Sequence, residues 1–115
     1  MIYRGSCHCG TVAYEVEAEF DSALSCNCSI CARKAPLLAA VPHASLRVTT
    51  PEAGKAYTFN KHQIVHRFCP TCGIHPYGED AAEGPERSAY VNLRCLEDFD
   101  PAVLPLIEFD GRNAL

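Results

Sequence analysis

Short stretches of alternating apolar and polar residues dominate this chain, and helical patterns are weak throughout. Residues 11–17 alternate cleanly and place Val12, Tyr14 and Val16 on one face of an extended segment. The 8 prolines are spread along the chain and interrupt any helix that they meet. The pattern therefore predicts a ladder of short strands rather than a helical fold.

Six further segments are predicted as strands, and turn-forming residues separate them. Residues 37–41 form a short apolar run that ends at Pro42, as expected of a buried strand. The other five predicted strands are residues 46–49, 56–59, 64–68, 88–93 and 106–109. Residues 93–99 are predicted to contain one helical turn. We expect a mainly β, mainly antiparallel fold with little helix, built as two packed sheets or a half-open barrel.

Length and composition are those of an ordinary globular domain, and we expect residues 1–115 to form one domain. A chain of this length buries only about two-thirds of its surface, so a cross-link would add stability. The net charge of −4 argues against nucleic-acid partners. The first residues lack the apolar core of a signal peptide, and no apolar run approaches the roughly 18 residues of a membrane span. These features predict a cytoplasmic protein with reduced thiols and no membrane association.

Seven of the 8 cysteines are clustered in three groups. Clustered cysteines in a reducing compartment are metal ligands rather than disulfides, although the even count also fits a disulfide framework. Two pairs make one four-thiolate set, and the trio leaves a site one ligand short. Structural zinc has four protein ligands, whereas catalytic zinc keeps three and an open position. We therefore expect two zinc ions, one structural and one catalytic. The groups are Cys7 and Cys9; Cys26, Cys28 and Cys31; and Cys69 and Cys72.

Each cysteine pair has a local sequence that can present two sulfurs to one ion. Residues i and i+2 of an extended segment share a face, so Cys7 and Cys9 can both point at one metal, and Gly10 lets the backbone turn away. Residues 68–73 resemble a zinc knuckle, in which Gly73 permits a left-handed backbone. A zinc ion shared by the two pairs would contribute on the order of 10 kcal/mol to folding.

The trio is expected to lie on one loop and to wrap an ion from one side, which leaves the fourth ligand open. If a protein side chain closes the site, both zinc ions are structural. If water or a thiol completes it, the site is free for chemistry. A mononuclear iron site in an electron carrier is a further alternative, which a colourless solution would exclude. The protein candidates for the fourth ligand are Cys95, His43, His62, His66 and His75.

Three motifs resemble the glutathione-dependent formaldehyde-activating enzyme family, which shares its domain with centromere protein V. They are residues 5–15, 26–34 and 66–75, and the tail at residues 109–113 is similar to the family's C-terminal pattern. The chain departs from the family at Ala35, where members often have Gly or Ser. The resemblance implies a zinc-stapled β-tent. It also implies a structural zinc on Cys7, Cys9, Cys69 and Cys72, and a catalytic zinc on Cys26, Cys28 and Cys31.

The activity implied by this resemblance is that of a carbon–sulfur lyase. Such an enzyme forms or cleaves adducts of glutathione, or another thiol, with formaldehyde or a related small aldehyde at the open zinc site. Glutathione is then a co-substrate, and Arg33 and Lys34 beside the trio are candidate contacts for its carboxylates, or else a solvated basic pair. His66 and His75 are candidates for proton transfer or for support of the ligands, or else ordinary structural histidines.

The alternative function is a non-catalytic zinc module that binds a protein or nucleic acid, with both zinc sites structural. A basic stripe of Arg33, Lys34, Arg47 and Lys61 would favour nucleic acid despite the acidic balance. The fourth ligand of the second zinc separates the two functions, because a bound thiol or water favours the lyase and a protein ligand favours the module. No feature of the sequence predicts an oligomeric state.

Overall fold

The computed structural model describes residues 1–114 and consists mainly of short strands. Its two helices are α1 (Ser29–Lys34) and α2 (Gly111–Ala114), and 3-10 turns occur at His43–Ser45, Leu93–Cys95 and Pro101–Val103. No helix in this described part of the chain is long and apolar enough to cross a membrane. The strands are β1 (Ile2–Ser6), β2 (Ala13–Glu17), β3 (Ala23–Cys26), β4 (Leu38–Pro42), β5 (Leu46–Val48), β6 (Lys55–Tyr57), β7 (Ile64–Phe68), β8 (Tyr77–Asp80), β9 (Ser88–Asn92) and β10 (Leu106–Phe109).

The strands form two sheets, which confirms the predicted mainly β fold. The small sheet has the order β1-β2-β5, and the large sheet has the order β10-β3-β4-β9-β8-β7-β6. Neighbouring strands are antiparallel apart from β10, which pairs with β3 in parallel. The C-terminal strand therefore lies at one edge of the large sheet, beside the strand that ends at Cys26.

The hydrophobic core lies where the small sheet meets one face of the large sheet. Val12, Tyr14 and Val16 are 0, 1 and 0% exposed, as their alternation predicts. The Tyr14 ring meets Tyr77 of the large sheet edge-on at a centroid distance of 5.7 Å. Its hydroxyl donates a hydrogen bond of 3.0 Å to the carbonyl oxygen of Pro76, which satisfies its polar end inside the core.

Three strands lacked a recognisable pattern in the sequence, namely β1, β3 and β8. The last of these reads Tyr-Gly-Glu-Asp, and its Glu79 is 7% exposed. A buried carboxylate breaks the expected alternation, and here it is stabilised by ion pairs with Arg67 and Arg87, both at 2.8 Å, and by a hydrogen-bond contact of 2.9 Å with Nε2 of His43.

The strand predicted as buried at residues 37–41 is instead half-buried. It occupies Leu38–Pro42, with Val41 in the core and Ala40 exposed. The expectation of full burial is wrong because only one face of the large sheet packs against the small sheet. The opposite face, which carries Leu38, lines a cavity.

Three residues beside the cysteine motifs have left-handed backbones. Gly10 and Gly73 have φ values of 83° and 79°, as predicted for the turns that follow the two cysteine pairs. Ala35 ends α1 with φ 53° and ψ 45°, and its N–H donates to the carbonyl of Cys31 at 2.7 Å. Glycine is favoured at this helix end, and an L-residue there costs about 1 kcal/mol. The departure from the family pattern at Ala35 thus falls on a strained position.

Gly5 is a sensitive point of the core, because it pairs with Tyr14 across β1 and β2. A β-carbon at Gly5 would lie 2.5 Å from Cζ of the Tyr14 ring, which its hydrogen bond to Pro76 holds in place. We expect Gly5→Ala to lower the free energy of unfolding by about 1–3 kcal/mol, measured by urea unfolding of the zinc-loaded protein. The neighbouring exposed substitution Arg4→Ala should change it by less than about 0.5 kcal/mol. Equal stability of the two variants would contradict this packing.

Candidate metal centres and the adjoining cavity

Four cysteine sulfurs meet where the two sheets join. Cys7 and Cys9 follow β1 of the small sheet, and Cys69 and Cys72 follow β7 of the large sheet. Their Sγ atoms all lie within 4.8 Å of one another, with Cys9 at 3.7 Å from Cys7 and 3.6 Å from Cys69. A tetrahedral zinc ion with Zn–S bonds of about 2.3 Å separates its sulfurs by about 3.8 Å. The donor set and its spacing therefore fit a zinc ion.

Backbone N–H groups donate hydrogen bonds to sulfurs of this cluster, whereas burial raises the pKa of the Cys7 thiol. Cys69 Sγ accepts hydrogen bonds from the N–H groups of Thr71 and Cys72, at 3.3 and 3.4 Å. The backbone amides of Ile74 and Cys9 lower the pKa of the Cys72 thiol to about 6. Metal binding requires deprotonated cysteines, so these amides prepare the Cys72 sulfur for an ion. All cysteines in the described residues are free thiols.

The trio brings together a strand end and the start of a helix. Cys26 ends β3, Cys28 precedes α1, and Cys31 lies in the first turn of α1. The expected single loop is therefore wrong, because the strand–turn–helix path lets the chain turn three sulfurs inward. These sulfurs lie within 4.8 Å of one another. Among residues 1–114, no further His, Cys, Asp or Glu atom joins the three at that spacing.

The environment of the trio resists the simultaneous ionisation of its thiols. Burial and the neighbouring sulfur of Cys28 raise the pKa of Cys31. Burial also opposes ionisation of Cys28, but hydrogen bonds from the Cys31 backbone and thiol outweigh it and lower the Cys28 pKa. Three adjacent negative charges repel one another strongly away from water. A divalent cation among the sulfurs removes this repulsion, so the trio also fits a zinc ion.

A cavity of about 550 Å³ opens beside the trio, a size typical of small-molecule sites. Its floor is the face of the large sheet that points away from the core, where register places His66, Gly78 and Tyr90 in one row. A β-carbon at Gly78 would lie 3.1 Å from the carbonyl oxygen of Val65. The absence of a side chain at this position leaves space for the cavity above the sheet. Helix α1, the β6–β7 connection and the C-terminal tail supply the walls.

His75 and His66 both line the cavity, and their rings meet edge-on at a centroid distance of 5.7 Å. His75 is 7% exposed, and both of its ring nitrogens are buried without a hydrogen-bond partner among residues 1–114. Burial, with the nearby charge of Lys34, lowers the pKa of His75 to about 4, and the same causes lower the pKa of His66. An unpaired buried imidazole costs stability, so its unused donor and acceptor indicate a ligand contact.

The remaining candidates for a fourth ligand lie elsewhere. Cys95 donates a long hydrogen bond of 3.9 Å to the carbonyl of His75, and burial and the charges of Cys7 and Cys72 raise its pKa to about 11. His43 Nε2 lies 2.9 Å from Glu79, and His62 Nδ1 lies 2.7 Å from Thr58. None of Cys95, His43 and His62 lines the cavity.

The two predicted glutathione contacts are separated in the structure. Arg33 lines the cavity, where its Nη1 donates to the carbonyl of Ser29 at 2.8 Å. Lys34 lies outside this lining, with Nζ 5.7 Å from the centroid of the Phe68 ring. Successive residues of a helix point about 100° apart, which accounts for the separation.

Sequence reasoning missed several cavity residues that lie outside the cysteine motifs. The tail motif at residues 109–113 was the only signal that pointed to part of this set. The missed residues are Leu24, Leu38, Phe59, Asn60, Gln63, Ile64, Gly78, Tyr90, Gly111 and Arg112, together with Lys61, which was considered only as part of a basic stripe.

The two clusters should differ in what their loss does to the fold. We expect the purified protein to bind about two zinc ions per chain by elemental analysis. Cys26→Ser should lose about one ion and stay folded by circular dichroism, because the trio lies on one side of a cavity. Cys69→Ser should lose the ion at the junction of the sheets and unfold at lower temperature.

Cys95→Ser is the matched control for these variants, and it should retain both ions. Loss of the trio's ion in Cys95→Ser would show that Cys95 closes the site.

Two comparisons with known proteins agree with this arrangement. The family model for the glutathione-dependent formaldehyde-activating enzyme matches residues 2–109. A crystal structure of a Rhodobacter sphaeroides protein is similar with a TM-score of 0.77 and 32% sequence identity, and the match covers 90% of this chain and 99% of that one. The resemblance carried by the three motifs is thereby confirmed. This chain belongs to the glutathione-dependent formaldehyde-activating enzyme family.

Proposed function

We propose that this protein is a lyase that forms or cleaves the carbon–sulfur bond between glutathione, or another small thiol, and formaldehyde or a related small aldehyde. The observation that carries the proposal is a set of three cysteine sulfurs on the wall of a cavity of about 550 Å³, with no further His, Cys, Asp or Glu donor atom of residues 1–114 within 4.8 Å of all three. Structural zinc sites are closed by four ligands, and an open position is typical of catalytic sites. Membership of the family supports a thiol and an aldehyde as the substrates.

The residues fit two zinc ions with different tasks. Cys7, Cys9, Cys69 and Cys72 would hold a structural ion, and the trio would hold a catalytic one. When bound at the trio, zinc supplies a soft Lewis-acidic centre that lowers the pKa of a thiol ligand. The protein contributes the position of the sulfurs, the shape of the cavity and the groups that face the aldehyde.

The reaction needs no oxidant or reductant. In adduct formation, the thiol loses its proton and its sulfur forms a bond to the carbonyl carbon. The electron pair of the C=O π bond moves to oxygen, which gains a proton and becomes a hydroxyl group. Cleavage is the reverse. The site must therefore hold sulfur close to carbon and provide a hydrogen-bonding group at the aldehyde oxygen.

His75 is the residue best suited to form a hydrogen bond with the aldehyde oxygen. Its low pKa keeps the imidazole neutral at pH 7, so it has one N–H donor and one acceptor that no side chain or backbone group of residues 1–114 uses. Its backbone is held by Asn92, whose Nδ2 donates to the His75 carbonyl at 2.9 Å. Because no group of residues 1–114 forms a hydrogen bond with the ring nitrogens, a hydrogen bond to substrate replaces none of theirs. His66 lies beside it, with the ring centroids 5.7 Å apart.

Apolar side chains form much of the cavity lining and reduce the amount of water beside the trio. Leu24, Leu38 and Ile64 come from three strands of the large sheet, and Phe59 and Phe109 cover two further sides. Electrostatic interactions and hydrogen bonds are stronger in such a cavity than in water.

Activity can be measured directly by exchange NMR of formaldehyde and glutathione. We expect the zinc-loaded protein to accelerate adduct formation over buffer, and Cys28→Ser to return the rate to that of buffer, because the trio loses a sulfur. Cys95→Ser removes a thiol outside the cavity and should keep the wild-type rate. An unchanged rate in Cys28→Ser would refute the proposal.

Two substitutions of His75 distinguish hydrogen bonding from a purely structural role. His75→Leu removes donor and acceptor, and the rate should fall by about 100-fold. His75→Gln keeps both and should retain the rate within about 10-fold. Each variant is compared at equal zinc content and similar thermal stability. A wild-type rate in folded His75→Leu would exclude this residue from the reaction.

A further inference from the structure

The cavity carries a charge opposite to that of the whole chain. The net charge is −4 at pH 7, yet among residues 1–114 the side chains that line the cavity include three cations and no carboxylate. Arg33 comes from α1, Lys61 from the β6–β7 connection, and Arg112 from α2. A basic cavity on an acidic protein concentrates anionic ligands at one place, because the surrounding surface repels them.

Arg112 is held at this cavity by hydrogen bonds between Asn27 and the tail. Asn27 Nδ2 donates to Asp110 Oδ1 at 2.9 Å, and Asn27 Oδ1 accepts from the backbone N–H of Arg112 at 2.9 Å. The N–H of Asn27 also donates to the carbonyl of Phe109 at 3.2 Å. Asn113 Nδ2 donates to the second oxygen of Asp110 at 2.8 Å. We call these contacts of Asn27, Asp110 and Asn113 the tail latch.

The tail latch connects Arg112 to the cysteine trio. Asn27 stands between Cys26 and Cys28 in the chain, and the parallel pairing of β10 with β3 places Phe109 opposite Cys26. Arg112 is an exposed residue, and its guanidinium forms no ion pair with a carboxylate of residues 1–114. Its position is therefore fixed by the backbone, while its charged end stays free for a ligand.

We propose that Arg112 is a specificity-determining residue that binds a carboxylate of an anionic thiol in this cavity, with the tail latch as its support. The inference rests on the proposed function for the role of the thiol. A planar guanidinium binds a carboxylate through two parallel hydrogen bonds, which fixes direction as well as charge. Lys61 and Arg33 add positive charge on other sides. Thiols that carry a carboxylate away from their sulfur are preferred over neutral or cationic thiols.

Binding is tested with S-methylglutathione, which keeps both carboxylates but has no ionisable thiol. Its affinity for the zinc-loaded protein is measured by calorimetry and compared with that of its dimethyl ester. We expect the acid to bind about 10-fold more tightly than the ester. Arg112→Gln should weaken binding of the acid by about 5-fold and leave the ester unchanged. Arg94→Gln, an exposed arginine outside the cavity lining, is the matched control and should change neither.

The tail latch can be tested with a variant for which loss of charge and loss of support change the affinity for the acid in opposite directions. Asp110→Ala removes a negative charge near the cavity, so charge alone predicts tighter binding of the acid. Loss of support for Arg112 predicts weaker binding instead, and we expect weakening. The double variant Asp110→Ala/Arg112→Gln should bind no more weakly than Arg112→Gln, because both changes act through one group. Tighter binding in Asp110→Ala, or additive losses, would overturn the role of the latch.

Binding and activity separate this inference from the proposed function. Equal affinity for acid and ester, or an unchanged affinity in Arg112→Gln, overturns the anion site even if the protein is an active lyase. Selective binding of the acid without any acceleration of adduct formation supports the anion site and refutes the lyase. If both hold, Arg112→Gln should raise KM for glutathione by about 5-fold and change kcat little, because the carboxylate is remote from the reacting atoms.

Discussion

Four cysteine sulfurs that follow strands of two different sheets lie within 4.8 Å of one another. The packing of the two sheets depends on this constraint. One pair follows the end of β1 and the other follows the end of β7, so their meeting sets the position of the small sheet against the large one. The segment that leaves this junction leads through His75 into β8. The positions of the two histidines at the cavity are therefore set from the same point as the core.

One face of the large sheet packs in the core, and the other face lines the cavity. On β9, Ala89 and Val91 are fully buried against the core, and Tyr90 between them points to the cavity. By the same alternation, His66 on β7 and Gly78 on β8 face the cavity. Because side chains of a strand alternate between faces, one set of backbone pairings positions both the packing residues and the site residues. A change of register would damage both at once.

The sequence predicted those parts of the molecule that are encoded by neighbouring residues in one short stretch. The alternation around Tyr14 indicated a core strand, and the spacing of the cysteines indicated two metal sets. The helix at Cys31 was missed because three thiols and two charged residues within nine positions leave little apolar periodicity. The tail motif contains Arg112 but did not indicate its place at the cavity, since that place depends on the parallel pairing of β10 with a strand about 80 positions earlier. Such pairings follow from topology and cannot be read from neighbouring residues.

The parallel pairing of β10 with β3 also determines the order in which the molecule can be completed during synthesis. All sulfurs of both clusters have been made once residue 72 has been added, whereas the wall supplied by β10 and Arg112 needs about 40 residues more. At 5–20 residues per second, translation takes roughly 2–8 s to supply them. During that interval the trio has one open side. The sulfurs of both clusters are therefore present in the chain before β10 and Arg112 can complete the cavity beside the trio.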